Sequence, residues 1–191
     1  MLAGKYTRDQ LTTDGLHPND LGHKLIAAEI IGLLEEVRGR MDEPEEERPL
    51  PAPMTANSYE HARRLTIREI SPVLSGFRAD PREKAGHLDC FKNGWIGQRP
   101  GDSIRFTVEC SCIAVQYRKT VRRPALSARL APDGGAPILL DGNFGEDWGD
   151  CLYLEPILHG GRREMHTVEI TVAESRGEGL TPFYLLSLIV A

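Results

Sequence analysis

An acidic, proline-rich segment divides this chain into two parts with different hydrophobic periods. Between Arg40 and Met54 the sequence RMDEPEEERPLPAPM combines a run of carboxylates with four prolines. This composition cannot bury a core, and it favours an extended, partly stiff linker. Apolar residues recur at helical spacing before the segment and alternate with polar residues after it. We therefore predict three parts: a first domain fragment over 1–40, a linker over 41–56 and a second domain over 57–191.

The first part predicts a tight turn followed by a helix. Gly15 allows a backbone turn that other residues resist, and Pro18 suits the first turn of a helix because its missing N–H costs nothing there. This spacing places His17 at the N-cap, Asp20 in the first helical turn and Gly39 at the helix end. The helix carries a broad apolar face.

Asp14 and His17 are the candidate catalytic residues of this part. The turn brings the Asp14 carboxylate close enough to accept a hydrogen bond from one ring nitrogen of His17. The other nitrogen is then free to take a proton from a hydroxyl, as a general base does. Two alternatives stay open: both residues serve only the turn and the helix cap, or they bind a metal ion together with His23.

The segment from Thr13 to His23 resembles the last conserved block of the SGNH/GDSL hydrolases, an α/β family of esterases and lipases. The block has the pattern Asp-x-x-His-Pro, commonly followed by Gly-His on the helix, and Asp14, His17 and Pro18 match its first part. The resemblance covers residues 1–40 and implies that His17 is the catalytic base and Asp14 its orienting acid.

The same resemblance implies that a nucleophilic serine, a glycine block and an asparagine block precede this motif. Only 13 residues precede Asp14, so we expect these blocks to be missing and the chain alone to be inactive. Gly101-Asp102-Ser103 spells the nucleophile motif, but Pro-Gly stands before Asp102 and apolar alternation follows Ser103. We interpret this stretch as a turn leading into a strand, which argues against Ser103 as the nucleophile.

The second part predicts a short helix over 57–64 and then a series of strands separated by Gly-rich turns. The predicted strands cover residues 66–70, 103–117, 125–130, 138–140, 152–154, 166–172 and 183–190. The fold class of this part is therefore mainly β: a β-sandwich or jelly-roll domain. The resemblance of residues 1–40 implies that this domain is preceded by the α-helical remnant of an α/β SGNH hydrolase domain. The second part resembles the β-sandwich accessory domains attached to some bacterial SGNH hydrolases and carbohydrate esterases.

Two tryptophans are candidates for sugar contacts in the second part. Trp95 and Trp148 could stack on the apolar face of a sugar, and neighbouring carboxylates could accept hydrogen bonds from its hydroxyls. Core packing is the alternative for both rings. Asp141, Asp147 and Asp150 could instead hold a calcium ion through oxygen ligands.

The remaining reactive or charged residues favour structural roles. Cys110 and Cys112 are interpreted as small apolar residues on one face of a strand. His159 and His166 flank a Gly-rich turn and are interpreted as structural histidines, and the basic run Arg118–Arg123 as a solvated turn.

Composition narrows the classes of function. A net charge of −5 argues against a general nucleic-acid binder. No stretch reaches the length of a transmembrane helix, and residues 1–16 lack the apolar core of a signal peptide, so we expect a cytoplasmic protein. Four cysteines in 191 residues do not make a disulfide scaffold. We expect no cofactor and no metal.

Two functions follow. In the first, the chain is part of an SGNH-type serine esterase that hydrolyses a small-molecule or carbohydrate ester, such as an acetylated sugar. In the second, it is a non-catalytic carbohydrate-binding or structural β-sandwich module. In either case the apolar helix face needs a partner: we expect it to pack on the β-domain, to self-associate or to fray.

Overall fold

The computed structural model describes residues 5–42, 51, 52, 54, 57–86, 89–174 and 180–191. The chain divides into two compact units, Met1–Ala52 and Pro53–Ala191. Most of the predicted linker, 41–56, lies outside the described residues. No helix of the described part combines the length and the hydropathy needed to cross a membrane.

The first unit contains a short helix α1, Arg8–Leu11, and a long helix α2, Asp20–Gly39. Asn19 is the N-cap of α2, and its side-chain oxygen accepts a hydrogen bond from the Gly22 amide at 3.0 Å. The prediction of His17 at this position is therefore wrong. Asn is a favoured N-cap residue because its short side chain reaches the orphan amides of the first turn, whereas the His17 ring is engaged elsewhere. Asp20 lies in the first turn, as predicted.

Backbone hydrogen bonds join α1 to the start of α2. The Asn19 amide donates to the Leu11 carbonyl at 2.9 Å, and the Asn19 side chain donates to the Gln10 carbonyl at 3.0 Å. Thr12, which follows α1, and Pro18, which precedes α2, form an isolated antiparallel β-bridge. Gly22 is the one buried residue of α2. The large apolar side chains of α2 are mostly about half exposed: Leu21, Ile26, Ile30, Ile31, Leu33, Leu34 and Val37.

The second unit consists of two antiparallel sheets. In the first sheet the strands are β1 Arg63–Leu65, β3 Arg78–Ala79, β4 Trp95–Gly97, β6 Ile113–Lys119, β9 Cys151–Leu158 and β11 Phe183–Val190. Their order is β3-β4-β11-β6-β9. β4 pairs with residues 183–185 of β11, and β1 pairs with residues 188–190 of the same strand. In the second sheet the strands are β2 Val73–Ser75, β5 Ser103–Cys110, β7 Ala128–Pro132, β8 Ile138–Leu140 and β10 Glu164–Val172. Their order is β2-β5-β10-β7-β8.

The two sheets pack face to face around one apolar core. Trp95 of the first sheet lies edge-on against Phe106 of the second, with ring centroids 5.3 Å apart. The largest side chains of this core come from both sheets and a connecting loop: Trp95, Tyr117, Phe106, Phe183, Ile104, Ile113, Leu126, Leu130, Leu140, Ile170 and Leu185. The predicted mainly β fold with a β-sandwich is confirmed.

The predicted single strand over 103–117 is two strands in different sheets. β5 ends at Cys110 and β6 begins at Ile113, so the chain crosses from one sheet to the other at Ser111 and Cys112. The amides of Ser111 and Cys112 both donate to the Ala191 carbonyl, at 2.7 and 3.2 Å, which satisfies the backbone at this corner.

Other boundaries also differ. Residues 57–64 form a turn and the start of β1 rather than a helix. Residues 66–70 form a turn rather than a strand, because the Glu69 carboxylate accepts hydrogen bonds from the amide and hydroxyl of Thr66. The strands predicted at 138–140 and 183–190 are confirmed as β8 and β11. The short strands β2, β3 and β4 were not predicted.

Candidate functional site

The turn between α1 and α2 brings Asp14 and His17 into direct contact. One carboxylate oxygen of Asp14, Oδ1, accepts hydrogen bonds from the amides of Leu16 at 2.9 Å and His17 at 2.7 Å. The other oxygen, Oδ2, lies 2.6 Å from Nδ1 of the His17 ring. Gly15 makes this possible because it adopts a positive φ of 78°, which L side chains disfavour.

The electrostatics of this pair keep Asp14 ionised. The hydrogen bond from the His17 side chain, followed by the backbone hydrogen bonds of His17 and Leu16, holds the pKa of the Asp14 carboxyl well below its ordinary range. An ionised carboxylate only accepts hydrogen bonds, so Nδ1 of His17 carries the proton. In the neutral ring Nε2 is then the acceptor, which is the arrangement of a general base.

The ring of His17 is largely open to solvent. The His17 side chain is 73% exposed. No described residue forms a hydrogen bond with Nε2 of this ring. Nor do the described residues contain a group of three His, Cys, Asp or Glu side chains placed to hold a metal ion, as the alternative with His23 would require.

Ser103 has a structural position in the second unit. It begins β5, in register with Ser75 of β2 and Thr171 of β10. The Asp102 carboxylate accepts hydrogen bonds from the amides of Gln98 at 2.8 Å and Arg99 at 2.9 Å. The interpretation of this stretch as a turn leading into a strand is confirmed.

The two tryptophans have opposite environments. Trp95 is 1% exposed and lies in the core between the sheets, so its ring cannot stack on a sugar. This burial contradicts the predicted substrate contact of Trp95 and agrees with the core-packing alternative. Trp148 is 68% exposed and packs edge-on against Phe144, with ring centroids 5.0 Å apart. Its ring presents an open aromatic surface.

Asp141 and Asp150, which lie on either side of Trp148 in the sequence, stabilise the loop that carries it. Asp141 accepts hydrogen bonds from the Ser127 hydroxyl at 3.0 Å and from the Asn143 amide at 2.9 Å. Asp150 accepts a hydrogen bond from the Thr120 hydroxyl at 2.6 Å. Among the residues that the structure covers, these side chains do not form a three-carboxylate metal site, so the calcium alternative gains no support.

The cysteines and histidines have structural surroundings. Cys110 and Cys112 are buried and unpaired, although Cys112 lies in the corner and not on the face of a strand. His166 is buried on the core face of β10, with Nδ1 2.7 Å from an Asp133 carboxylate oxygen. His159 lies beside Tyr59, 3.1 Å from its hydroxyl.

The basic run is not a solvated turn throughout. Arg118 belongs to β6, its side chain is 16% exposed, and it donates a hydrogen bond to the Pro182 carbonyl at 3.0 Å. Its guanidinium lies 5.7 Å from the ring centroids of both Phe91 and Tyr184. Burial lowers the pKa of Arg118. The prediction is therefore wrong for Arg118, because strand and ring contacts enclose it.

Comparison with solved structures gives two strong matches. The chain is similar to a two-domain esterase active on acetylated mannans, with 42% sequence identity over 98% of this chain and a TM-score of 0.85. A structure of a two-domain esterase of the same description, co-crystallised with mannopentaose, matches with 42% identity and a TM-score of 0.84. The chain spans about half the length of these esterases, 51% and 50%. No protein-family model matches this chain, and no curated protein matches it.

Proposed function

We propose that this chain supplies the carboxyl-terminal part of an SGNH-type serine esterase that acts on carbohydrate esters. The observation that carries the proposal is the 2.6 Å contact between Asp14 Oδ2 and Nδ1 of the exposed His17 side chain. The similarity to two-domain esterases active on acetylated mannans supports an acetylated polysaccharide as the substrate class.

The chemistry follows from the two nitrogens of His17. In the complete enzyme a serine hydroxyl attacks the ester carbonyl, and Nε2 of His17 takes the hydroxyl proton. The imidazolium that forms is stabilised by the Asp14 carboxylate, and it then gives its proton to the leaving sugar alcohol. Water then attacks the acyl-serine while His17 takes its proton. The proton passes to the serine oxygen as acetate leaves, which restores the serine. The serine comes from the half of the esterase that this chain does not match.

A chimera tests this proposal. The half of the matched mannan esterase that this chain does not cover is fused ahead of this chain, and acetate release from acetylated mannan is measured. We expect an active chimera in which His17→Ala lowers kcat by about 10³-fold or more. Asp14→Asn is expected to lower kcat as well, because the ring loses the partner that fixes its tautomer. His23→Ala, which removes an exposed histidine of α2, is the matched control and is expected to retain activity.

Two results would contradict the proposal. One is a folded chimera whose acetate release survives His17→Ala. The other is a folded but inactive chimera under conditions in which the intact matched esterase is active, since residues 1–40 would then fail to replace their counterpart.

A second function, carbohydrate binding by the β-unit, is favoured by the exposed ring of Trp148. We propose that this ring stacks on a sugar of the polysaccharide. Titration calorimetry of the chain with mannopentaose tests it: Trp148→Ala is expected to abolish measurable binding, and Trp148→Phe to retain part of it. Equal affinity of the wild type and Trp148→Ala would exclude this ring.

A further inference from the structure

One side chain outside the Asp14–His17 motif holds the turn that carries it. Arg8, the first residue of α1, donates a hydrogen bond from its Nε to the Gly15 carbonyl at 2.7 Å. Among the described residues, no carboxylate forms an ion pair with Arg8. Arg8 was not predicted from the sequence, because an arginine seven residues before Gly15 leaves no recognisable motif.

The fit between Arg8 and Gly15 is close. A β-carbon added at Gly15 would lie 3.0 Å from Nη2 and 3.1 Å from both Cζ and Nε of Arg8. The guanidinium therefore lies against the α-carbon of the glycine. The backbone carbonyl of Arg8 also accepts hydrogen bonds from the amide and hydroxyl of Thr12, both at 3.0 Å, which fixes the start of the loop.

The Gly15 carbonyl and the Leu16 amide belong to one peptide unit, and that unit is planar. Arg8 holds the carbonyl end of this plane, while the Leu16 N–H at the other end donates to Asp14 Oδ1 at 2.9 Å. A hydrogen bond with a charged donor is stronger than one between neutral groups, so Arg8 sets the orientation of the plane. With Oδ1 fixed in this way, Oδ2 points at Nδ1 of His17.

We propose that Arg8 is a positioning residue, which aims the Asp14 carboxylate at His17 through the Gly15–Leu16 peptide. This inference rests on the proposed function, in which the Asp14–His17 contact selects the tautomer of the base. Arg8 does not touch the reacting atoms; it acts through Asp14.

The test measures the tautomer of His17 in the full chain. The ¹⁵N chemical shifts of the ring are recorded by NMR at a pH at which the ring is neutral. In the wild type the Nδ1–H form is expected to dominate. Arg8→Met keeps the length of the side chain and removes its donors, and we expect the ratio of Nδ1–H to Nε2–H to fall by about fivefold. Arg8→Lys, which keeps a charged donor, is expected to stay within about twofold of the wild type.

A matched control separates positioning from helix stability. The Gln10 side chain accepts a hydrogen bond from the Thr7 amide at 2.9 Å, at the opposite end of α1 from the turn. Gln10→Ala loosens α1, and we expect it to leave the tautomer ratio of His17 unchanged.

The outcomes distinguish this inference from the proposed function. An unchanged tautomer ratio in Arg8→Met overturns the role of Arg8 and leaves the proposed function standing. Equal changes in Arg8→Met and Gln10→Ala overturn it too, because stability of α1 would then explain both. A wild type without the Nδ1–H form contradicts the Asp14–His17 contact itself, and with it the proposed function.

Discussion

The two units of this chain differ in how far apart in the sequence their contacting residues lie. In the first unit the hydrogen bonds that form the turn join residues no more than nine positions apart, and Gly22 is the one buried residue of α2. In the β-unit, side chains far apart in the sequence meet: Arg64 donates to the Ser187 hydroxyl, and the Tyr184 hydroxyl donates to Asp80.

The difference explains how the Asp14–His17 geometry can be held by local contacts alone. The Asp14–His17 contact depends on a glycine turn, one arginine and an N-cap, all within a few residues of it. These local contacts position the two side chains without a hydrophobic core. The sandwich, in contrast, exists only when strands from the whole unit are paired. The first unit therefore fixes the contact between Asp14 and His17, and the second unit contains most of the buried apolar surface of the described residues.

The largest effect is expected from a substitution in the core of the β-unit. Trp95→Ala removes a fully buried ring from the sandwich core, and we expect it to lower the free energy of unfolding of the β-unit by about 3–5 kcal/mol. Trp148→Ala removes an exposed ring and is expected to change this free energy by less than about 0.5 kcal/mol. Denaturant unfolding followed by circular dichroism measures both.

Amide exchange in the same variants tests whether the units are independent. The Asn19 amide, which donates to the Leu11 carbonyl, reports on the first unit. We expect Trp95→Ala to leave its exchange rate unchanged. A faster rate would show that the first unit needs the sandwich, and the comparison between local and long-range stabilisation would fail.

The sequence predicted what local contacts determine. Asp14, Gly15 and His17 lie within four residues, so the pattern alone implied the turn and the hydrogen bond between the two side chains. The helix end at Gly39 and the strand at 183–190 were likewise predictable from hydrophobic period and turn residues. The N-cap was misplaced by two residues because both His17 and Asn19 can precede a helix, and only the hydrogen bond to Gly22 decides.

Long-range features were beyond the pattern. Residues 103–117 contain two sets of apolar residues, at even positions through Cys110 and at odd positions from Ile113. In a single strand the two sets would lie on opposite faces. In the structure both sets face the same core, because the chain changes sheets at the corner between them. The change of parity was the available signal. Trp95 gave no such signal, since its burial depends on β5, β11 and their partners.

A smaller effect, about 2 kcal/mol, is expected from a buried carboxylate of the β-unit. The Asp80 side chain is 2% exposed and accepts two hydrogen bonds from Arg82, at 2.6 and 2.7 Å. These hydrogen bonds lower the pKa of Asp80 from 3.8 to about 2. A carboxyl whose pKa is lower in the folded state stabilises the fold above its unfolded pKa and stops doing so as the pH falls through the folded value.

The variant Asp80→Asn isolates this contribution. At pH 7 we expect it to lower the free energy of unfolding of the β-unit by about 2 kcal/mol, and the difference from the wild type to disappear as the pH falls from about 4 to 2. Asp14→Asn, which also removes a carboxyl with a lowered pKa, is the control from the first unit: it should leave the unfolding of the β-unit unchanged at every pH. A difference for Asp80→Asn that persists at pH 2 would assign its effect to packing rather than charge.

The smallest effect, about 1 kcal/mol, is expected in α2, where two glycines give opposite signs. Gly32 has open space around it, so Gly32→Ala should gain the helix propensity of alanine and slow the exchange of nearby α2 amides by about fivefold. A β-carbon at Gly22 would instead collide with the Leu11 carbonyl, the group that accepts the Asn19 hydrogen bond. Since that carbonyl belongs to the backbone, α1 must shift, and the cost of overpacking exceeds the gain in propensity. We expect Gly22→Ala to speed the exchange of the Asn19 amide severalfold. If both variants slowed exchange, the close approach of α1 and α2 would have no energetic weight, and the first unit would be a free helix preceded by a turn rather than two helices held together.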